Sequence, residues 1–148
     1  MERAARPEVD LTAHCACGAV AVRLAGPVKS MFLCSCEDCQ KATGTGHSAA
    51  MLLRATDVTV TGPTKSHARR ADSGAIFTRW FCPECGTPLF AQSSRGMDLM
   101  TIPVGLLGSA AAEWFRPGQL LFARTHREWD VVADDLPQHQ TYRLTGAT

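Results

Sequence analysis

The chain has almost no net charge, no long apolar run and no repeated segment, and each absence removes a class of function. Fifteen basic residues against fourteen acidic ones leave +1 over 148 residues, so no strong field draws it to nucleic acid or to an acidic membrane surface. No stretch reaches the length of a membrane span, and residues 1–7 lack the apolar core of a signal peptide. The expected setting is therefore the cytoplasm, with neither nucleic acid nor a membrane as partner. Thiols stay reduced there, and clustered cysteines usually mean metal rather than disulfides. An eighth cysteine is also missing. The seven present fall into groups of two, three and two, an odd total that cannot close two four-sulfur sites.

Residues 1–10 read as a loose lead-in and residues 11–148 as a single zinc-binding β domain, long enough for a core and short enough for metal staples to matter. Alternating or short apolar runs predict strands over residues 19–24, 47–53, 57–61, 75–81, 89–92, 99–104 and 120–123. Gly62-Pro63 and Ser73-Gly74 supply turns. One short helix is expected over residues 36–43, stopped by Gly44 and Gly46. Short strands punctuated by Gly and Pro predict a mainly β class. The aromatic pairs Trp80-Phe81 and Trp114-Phe115 are each expected to give at least one ring to the core.

Cys15-Ala16-Cys17-Gly18 and Cys82-Pro83-Glu84-Cys85-Gly86 form the first constellation. In each, a glycine follows the last cysteine and permits the tight turn that lets two nearby sulfurs face one ion. Four such thiolates close a tetrahedral zinc site. The competing readings are ordinary buried cysteines or a redox Cys-x-x-Cys.

Cys34-Ser35-Cys36-Glu37-Asp38-Cys39 is the second. Three sulfurs within six residues, running from a strand end into a helix, can bind one ion and leave a fourth position for His, Asp, Glu, water or an outside thiol. Glu37 and Asp38 equally suit a solvated first helical turn. His47 could curl back as a ligand or be a polar strand residue, and His14 could be a surface residue beside Cys15. Lys41, Arg69, Arg70 and Arg79 could balance thiolate charge or be solvated strand residues.

Together these residues resemble the glutathione-dependent formaldehyde-activating enzymes, grouped with centromere protein V. The resemblance rests on His14-Cys15-x-Cys17-Gly18, on Cys34-Ser35-Cys36-x-x-Cys39-Gln40-Lys41 before Gly44, and on Arg79-Trp80-Phe81-Cys82-Pro83-x-Cys85-Gly86-Thr87-Pro88-Leu89. Val104-Gly105-Leu106-Leu107 and Trp129 with Asp135-Leu136-Pro137 add to it. Relatives often carry Pro where this chain has Glu128, and His where it has Leu120.

The resemblance implies a complex β fold with two zinc sites, like that of methionine-R-sulfoxide reductases. It implies Cys15, Cys17, Cys82 and Cys85 as ligands of a structural zinc, and Cys34, Cys36 and Cys39 as ligands of a catalytic one. The implied activity is that of a carbon–sulfur lyase or synthase joining glutathione, or a similar small thiol, to formaldehyde. A non-catalytic zinc module that binds a macromolecule is the alternative. A redox enzyme would need a free nucleophilic cysteine, and the metal motifs absorb all seven. No residues are assigned to binding the thiol itself.

Overall fold

The structure is a computed structural model, and it describes residues 6–143. Ten strands follow one another along the chain: β1 (Glu8–His14), β2 (Ala21–Pro27), β3 (Ser30–Cys34), β4 (Ser48–Arg54), β5 (Val58–Thr61), β6 (Lys65–Arg70), β7 (Ile76–Phe81), β8 (Pro88–Ser93), β9 (Leu99–Pro103) and β10 (Leu120–Leu121). One α-helix, α1 (Glu37–Thr43), and three 3-10 segments complete the described elements. The class is mainly β, as the short apolar runs require.

Among the described residues the backbone gathers into two compact units, one of residues 6–30 and 51–114 and the other of residues 31–50 and 115–143. In the first unit β1 pairs antiparallel with β2, Leu11 opposite Leu24, and β2 pairs antiparallel with β5. Alternation decides which side chains go inside: Val9, Ala13, Val22 and Leu24 are buried while their chain neighbours face out. Burying a side chain such as Leu24 contributes about 1.5–3 kcal/mol. Strands β6, β7, β8 and β9 then form an up-and-down run, with Trp80 opposite Phe90. The core of this unit collects Val20, Met51, Leu53, Leu89 and Ile102 as well, all fully buried.

In the second unit β10 runs parallel to β3, placing Leu120 opposite Leu33 and Leu121 opposite Cys34. The buried Leu33, Cys34, Ser35, Ala50, Leu120 and Phe122 make its interior. Helix α1 has seven residues and buries none of them, too few for stability alone. Its ends are secured instead. The Cys36 Sγ accepts the Cys39 amide at 3.3 Å, acidic Glu37 and Asp38 occupy the first turn, and the Gly44 amide donates to the Gln40 carbonyl.

Three strands depart from the reading of the sequence. Residues 8–10 of the expected loose lead-in lie in β1, whose charged outer face hides the Val9, Leu11 and Ala13 alternation; residues 1–5 lie outside the described part. Strand β6 was not expected because Lys-Ser-His-Ala-Arg-Arg carries no apolar pattern, and only pairing with β7 makes it a strand. For β3, only the strand end at Cys34 was anticipated. The aromatic expectation also fails. Trp80, Phe81, Trp114 and Phe115 are all half-buried, and Trp80 stacks on Phe90 with centroids 4.6 Å apart rather than entering the core.

Candidate metal centres

In the first unit the turn between β1 and β2 carries Cys15 and Cys17, and the turn between β7 and β8 carries Cys82 and Cys85. Gly18 and Gly86 take φ of 81° and 77°, a region that costs other residues a Cβ clash, and the amide of each closes its turn onto a cysteine carbonyl. All four sulfurs lie within 4.8 Å of one another. Cys15 and Cys17 Sγ are 3.6 Å apart, and Cys17 and Cys82 Sγ 3.7 Å. A metal–sulfur bond of about 2.3 Å in tetrahedral geometry requires sulfurs about 3.8 Å apart. A disulfide requires about 2.05 Å. The spacing is therefore that of ligands around one ion.

Donors converge on the same sulfurs. The Val20 amide reaches Cys15 Sγ at 3.3 Å. Thr87 Oγ1 lies 3.1 Å from Cys85 Sγ while accepting the Ala16 amide, so it links the two turns. The Thr87 hydroxyl and amide bring Cys85 down to about 5. The Ala19 amide favours the Cys17 thiolate too, but Cys15, burial and the other sulfurs outweigh it and push Cys17 up to about 12. Four crowded thiols thus share out their charge unequally. A bound cation removes that conflict, because it stabilises every thiolate at once.

In the second unit Cys34 ends β3, Cys36 precedes α1 and Cys39 sits in its first turn. Their sulfurs also lie within 4.8 Å of one another. Cys34 is pushed far up, first by the Cys36 and Cys39 thiols and then by burial. A cation among the three sulfurs would offset the mutual repulsion that keeps Cys34 protonated. Both clusters expected from the sequence are therefore assembled, and each could hold a metal ion.

The backbone between the cysteines is held by α1 and the chain after β10. Gln40 Nε2 donates to the carbonyls of Ser35 and Thr125 at 2.8 and 3.0 Å, and Thr125 Oγ1 donates to the Ser35 carbonyl at 2.8 Å. Just upstream, Phe122 adopts φ of 58°, a left-handed conformation costly for a bulky side chain. Its ring meets Tyr142 edge-on, centroids 4.7 Å apart.

An open groove of about 400 Å³ lies along the same helix, lined by Glu37, Gln40, Lys41, Gly44, Thr45, Arg127 and Trp129. Arg127 reaches Gln40 Oε1 at 3.2 Å and Glu37 at 3.4 Å. Lys41 is exposed, and so is Trp129. Of the other cations singled out, Arg70 belongs to the first unit, as do Arg69 and Arg79, whose guanidinium groups sit 5.2 and 5.3 Å from the Phe77 centroid. Glu37 is exposed, in keeping with a solvated first turn, and His14 is an exposed residue ending β1.

His47 is tied elsewhere than to a sulfur. Its Nδ1 lies 2.6 Å from Asp130 Oδ2, and His126 Nε2 lies 3.0 Å from the same oxygen. The sequence marks this cluster only by the spacing His126-x-x-x-Asp130, since 83 residues separate His47 from Asp130. Gly46 is buried, and a Cβ there would run into the Asp130 side chain. Gly46→Ala should consequently cost about 1–3 kcal/mol through overpacking, seen as a lower urea midpoint with an unchanged slope.

A mainly β chain with a four-cysteine and a three-cysteine cluster, each able to hold a metal ion, is the class that fold and site define. The sequence profile of the glutathione-dependent formaldehyde-activating enzymes matches residues 10–125, and the chain belongs to that family. A solved structure of a Rhodobacter sphaeroides protein is similar in fold, with a TM-score of 0.51 and 20% identity over 66% of this chain and 88% of that one. No curated protein matches the chain significantly.

Proposed function

We propose that the protein is a zinc-dependent carbon–sulfur lyase or synthase that condenses glutathione, or a similar small thiol, with formaldehyde, or cleaves the adduct. Cys15, Cys17, Cys82 and Cys85 hold a structural zinc, and Cys34, Cys36 and Cys39 hold a catalytic one. In the forward direction a sulfur–carbon bond forms, the carbonyl π bond breaks, and the thiol proton ends on the carbonyl oxygen. The reverse returns thiol and aldehyde, so no redox partner is needed. The cytoplasm, rich in reduced thiol, is the fitting compartment.

The observation that carries this reading is a cluster of three cysteines with no fourth ligand in its set among the described residues, one of which, Cys39, lies on the helix whose Glu37, Gln40 and Lys41 line the groove. Zinc bound there would favour the thiolate of a coordinated thiol and could polarise a carbonyl. The chain supplies the rest. Lys41 and Arg127 offer cations to the carboxylates of a peptide-like thiol, Trp129 offers an apolar face, and Gln40 keeps α1 and the Ser35 carbonyl in place.

Cobalt substitution tests the open position. Glutathione should change the visible spectrum of the three-cysteine site and leave the four-cysteine site unaltered. Formaldehyde should then disappear faster than in an enzyme-free mixture of the same composition. A spectrum indifferent to glutathione and to other small thiols would mean that the chain fills the fourth position itself, leaving a non-catalytic zinc module.

A further inference from the structure

The cluster of His47, Asp130 and His126 has a geometry that pairing alone does not require. Both imidazoles address one oxygen, Asp130 Oδ2, at 2.6 and 3.0 Å. The Asp130 side chain is only 13% exposed, and the His47 and His126 side chains 25% and 18%. A carboxylate can only accept, so each ring must donate the N–H that faces it. In its neutral form His47 therefore carries its proton on Nδ1 and leaves the lone pair on Nε2. His126, the other way round, carries its proton on Nε2. Buried Gly46 gives Asp130 the room to sit there, and the Asp130 amide donates to the Arg127 carbonyl at 3.0 Å, closing the turn that presents it.

This cluster borders the groove. Thr45, whose Oγ1 donates to the His47 carbonyl at 2.8 Å, lines the groove, as do Arg127 and Trp129, on the chain just before Asp130. The carbonyl of Thr125, next to His126, accepts from Gln40, another lining residue. The imidazole pair thus adjoins residues that line the groove along α1, the helix that carries Cys39.

We propose that His47 is the proton carrier of the reaction, with Asp130 a positioning residue that fixes its tautomer and His126 the second anchor of that carboxylate. His47 Nε2 takes the proton of the incoming thiol as the sulfur–carbon bond forms. It then gives that proton to the oxygen of the new hydroxymethyl group. The proton lost by sulfur is the one gained by oxygen, so His47 ends unchanged; in cleavage it moves the proton the other way. This assignment rests on the thiol–aldehyde reading above.

The test compares wild type with His47→Ala and Asp130→Asn, all loaded with zinc and assayed with glutathione and formaldehyde. General acid–base groups contribute about 10²–10⁴-fold, so His47→Ala should lower kcat about 100-fold with KM for glutathione little changed and zinc content equal to wild type. Added imidazole should restore a large part of that loss. Asp130→Asn should also lower kcat but gain nothing from imidazole, since its His47 ring is still present. Nitrogen-15 spectra of the wild type, which need no turnover, should show His47 as the Nδ1–H and His126 as the Nε2–H tautomer.

An unchanged kcat in His47→Ala overturns the assignment while leaving the thiol–aldehyde reading standing. So does a loss accompanied by missing zinc, which would make His47 a ligand or a clasp. Should His47→Ala fail to fold, the Asp130→Asn split between kcat and KM and the tautomer spectra decide in its place. A wild type that shows the expected spectra but no turnover refutes the reaction itself and the proton carrier with it.

Discussion

Cys82→Ser should lower the thermal midpoint by about 10 °C or more and release one equivalent of zinc. Cys82 is fully buried and lies 65 residues from Cys17, the sulfur it approaches at 3.7 Å. An ion held by both ties the β1–β2 turn to the β7–β8 turn. Closing a chain loop of that length by a covalent link contributes about 4 kcal/mol by the entropy argument used for disulfides, and metal binding is coupled to folding in the same sense. At a few degrees per kcal/mol for a chain of this size, the shift is large. Cys85→Ser should act in the same direction. Differential scanning calorimetry with metal analysis reads both quantities, and a Cys82→Ser protein that melts with the wild type would remove the structural role from this cluster.

Cys36→Ser should have the opposite profile, a loss of at least about 100-fold in turnover, equivalent to roughly 2.7 kcal/mol of barrier, with a midpoint within about 3 °C of wild type. Local structure makes this variant clean. Cys36 is the N-cap of α1, and its Sγ accepts the Cys39 amide. Serine is among the best N-cap residues, so the helix start survives while a soft metal ligand is lost. Cys39→Ser should likewise lose the second metal and keep the fold. Steady-state rates beside melting curves check the pair. Equal thermal damage from Cys36→Ser and Cys82→Ser would mean that both clusters are structural.

The two cysteine clusters were legible because ligand chemistry is written in short spacings. Cys15-x-Cys17, Cys82-x-x-Cys85 and Cys34-x-Cys36-x-x-Cys39 each bring their own sulfurs close whatever the rest of the chain does. The glycines after Cys17 and Cys85 announced the turns, and structure confirms them as positive-φ residues. Strands β2, β4, β5, β7, β8 and β9 were legible for a related reason, since their apolar runs can be satisfied only by burial. Helix α1 was marked by the glycines that stop it, Gly44 and Gly46.

What stayed hidden depends on partners remote in sequence. Strand β6 is a strand because β7 offers it a ladder, and the half-buried Trp80 owes its place to Phe90 on β8 rather than to its own hydrophobicity. The groove draws on residues 37–45 and 127–129, which no local pattern connects. The same holds for His47, which sequence offered only as a ligand or a polar strand residue. The sequence by itself determined a mainly β chain with two cysteine sites, one complete in sulfur and one short of it, because periodicity and ligand spacing are local. Tertiary structure alone decided that His47 and His126 meet one carboxylate, because a hydrogen bond between residues 83 apart exists only once the chain has folded around it.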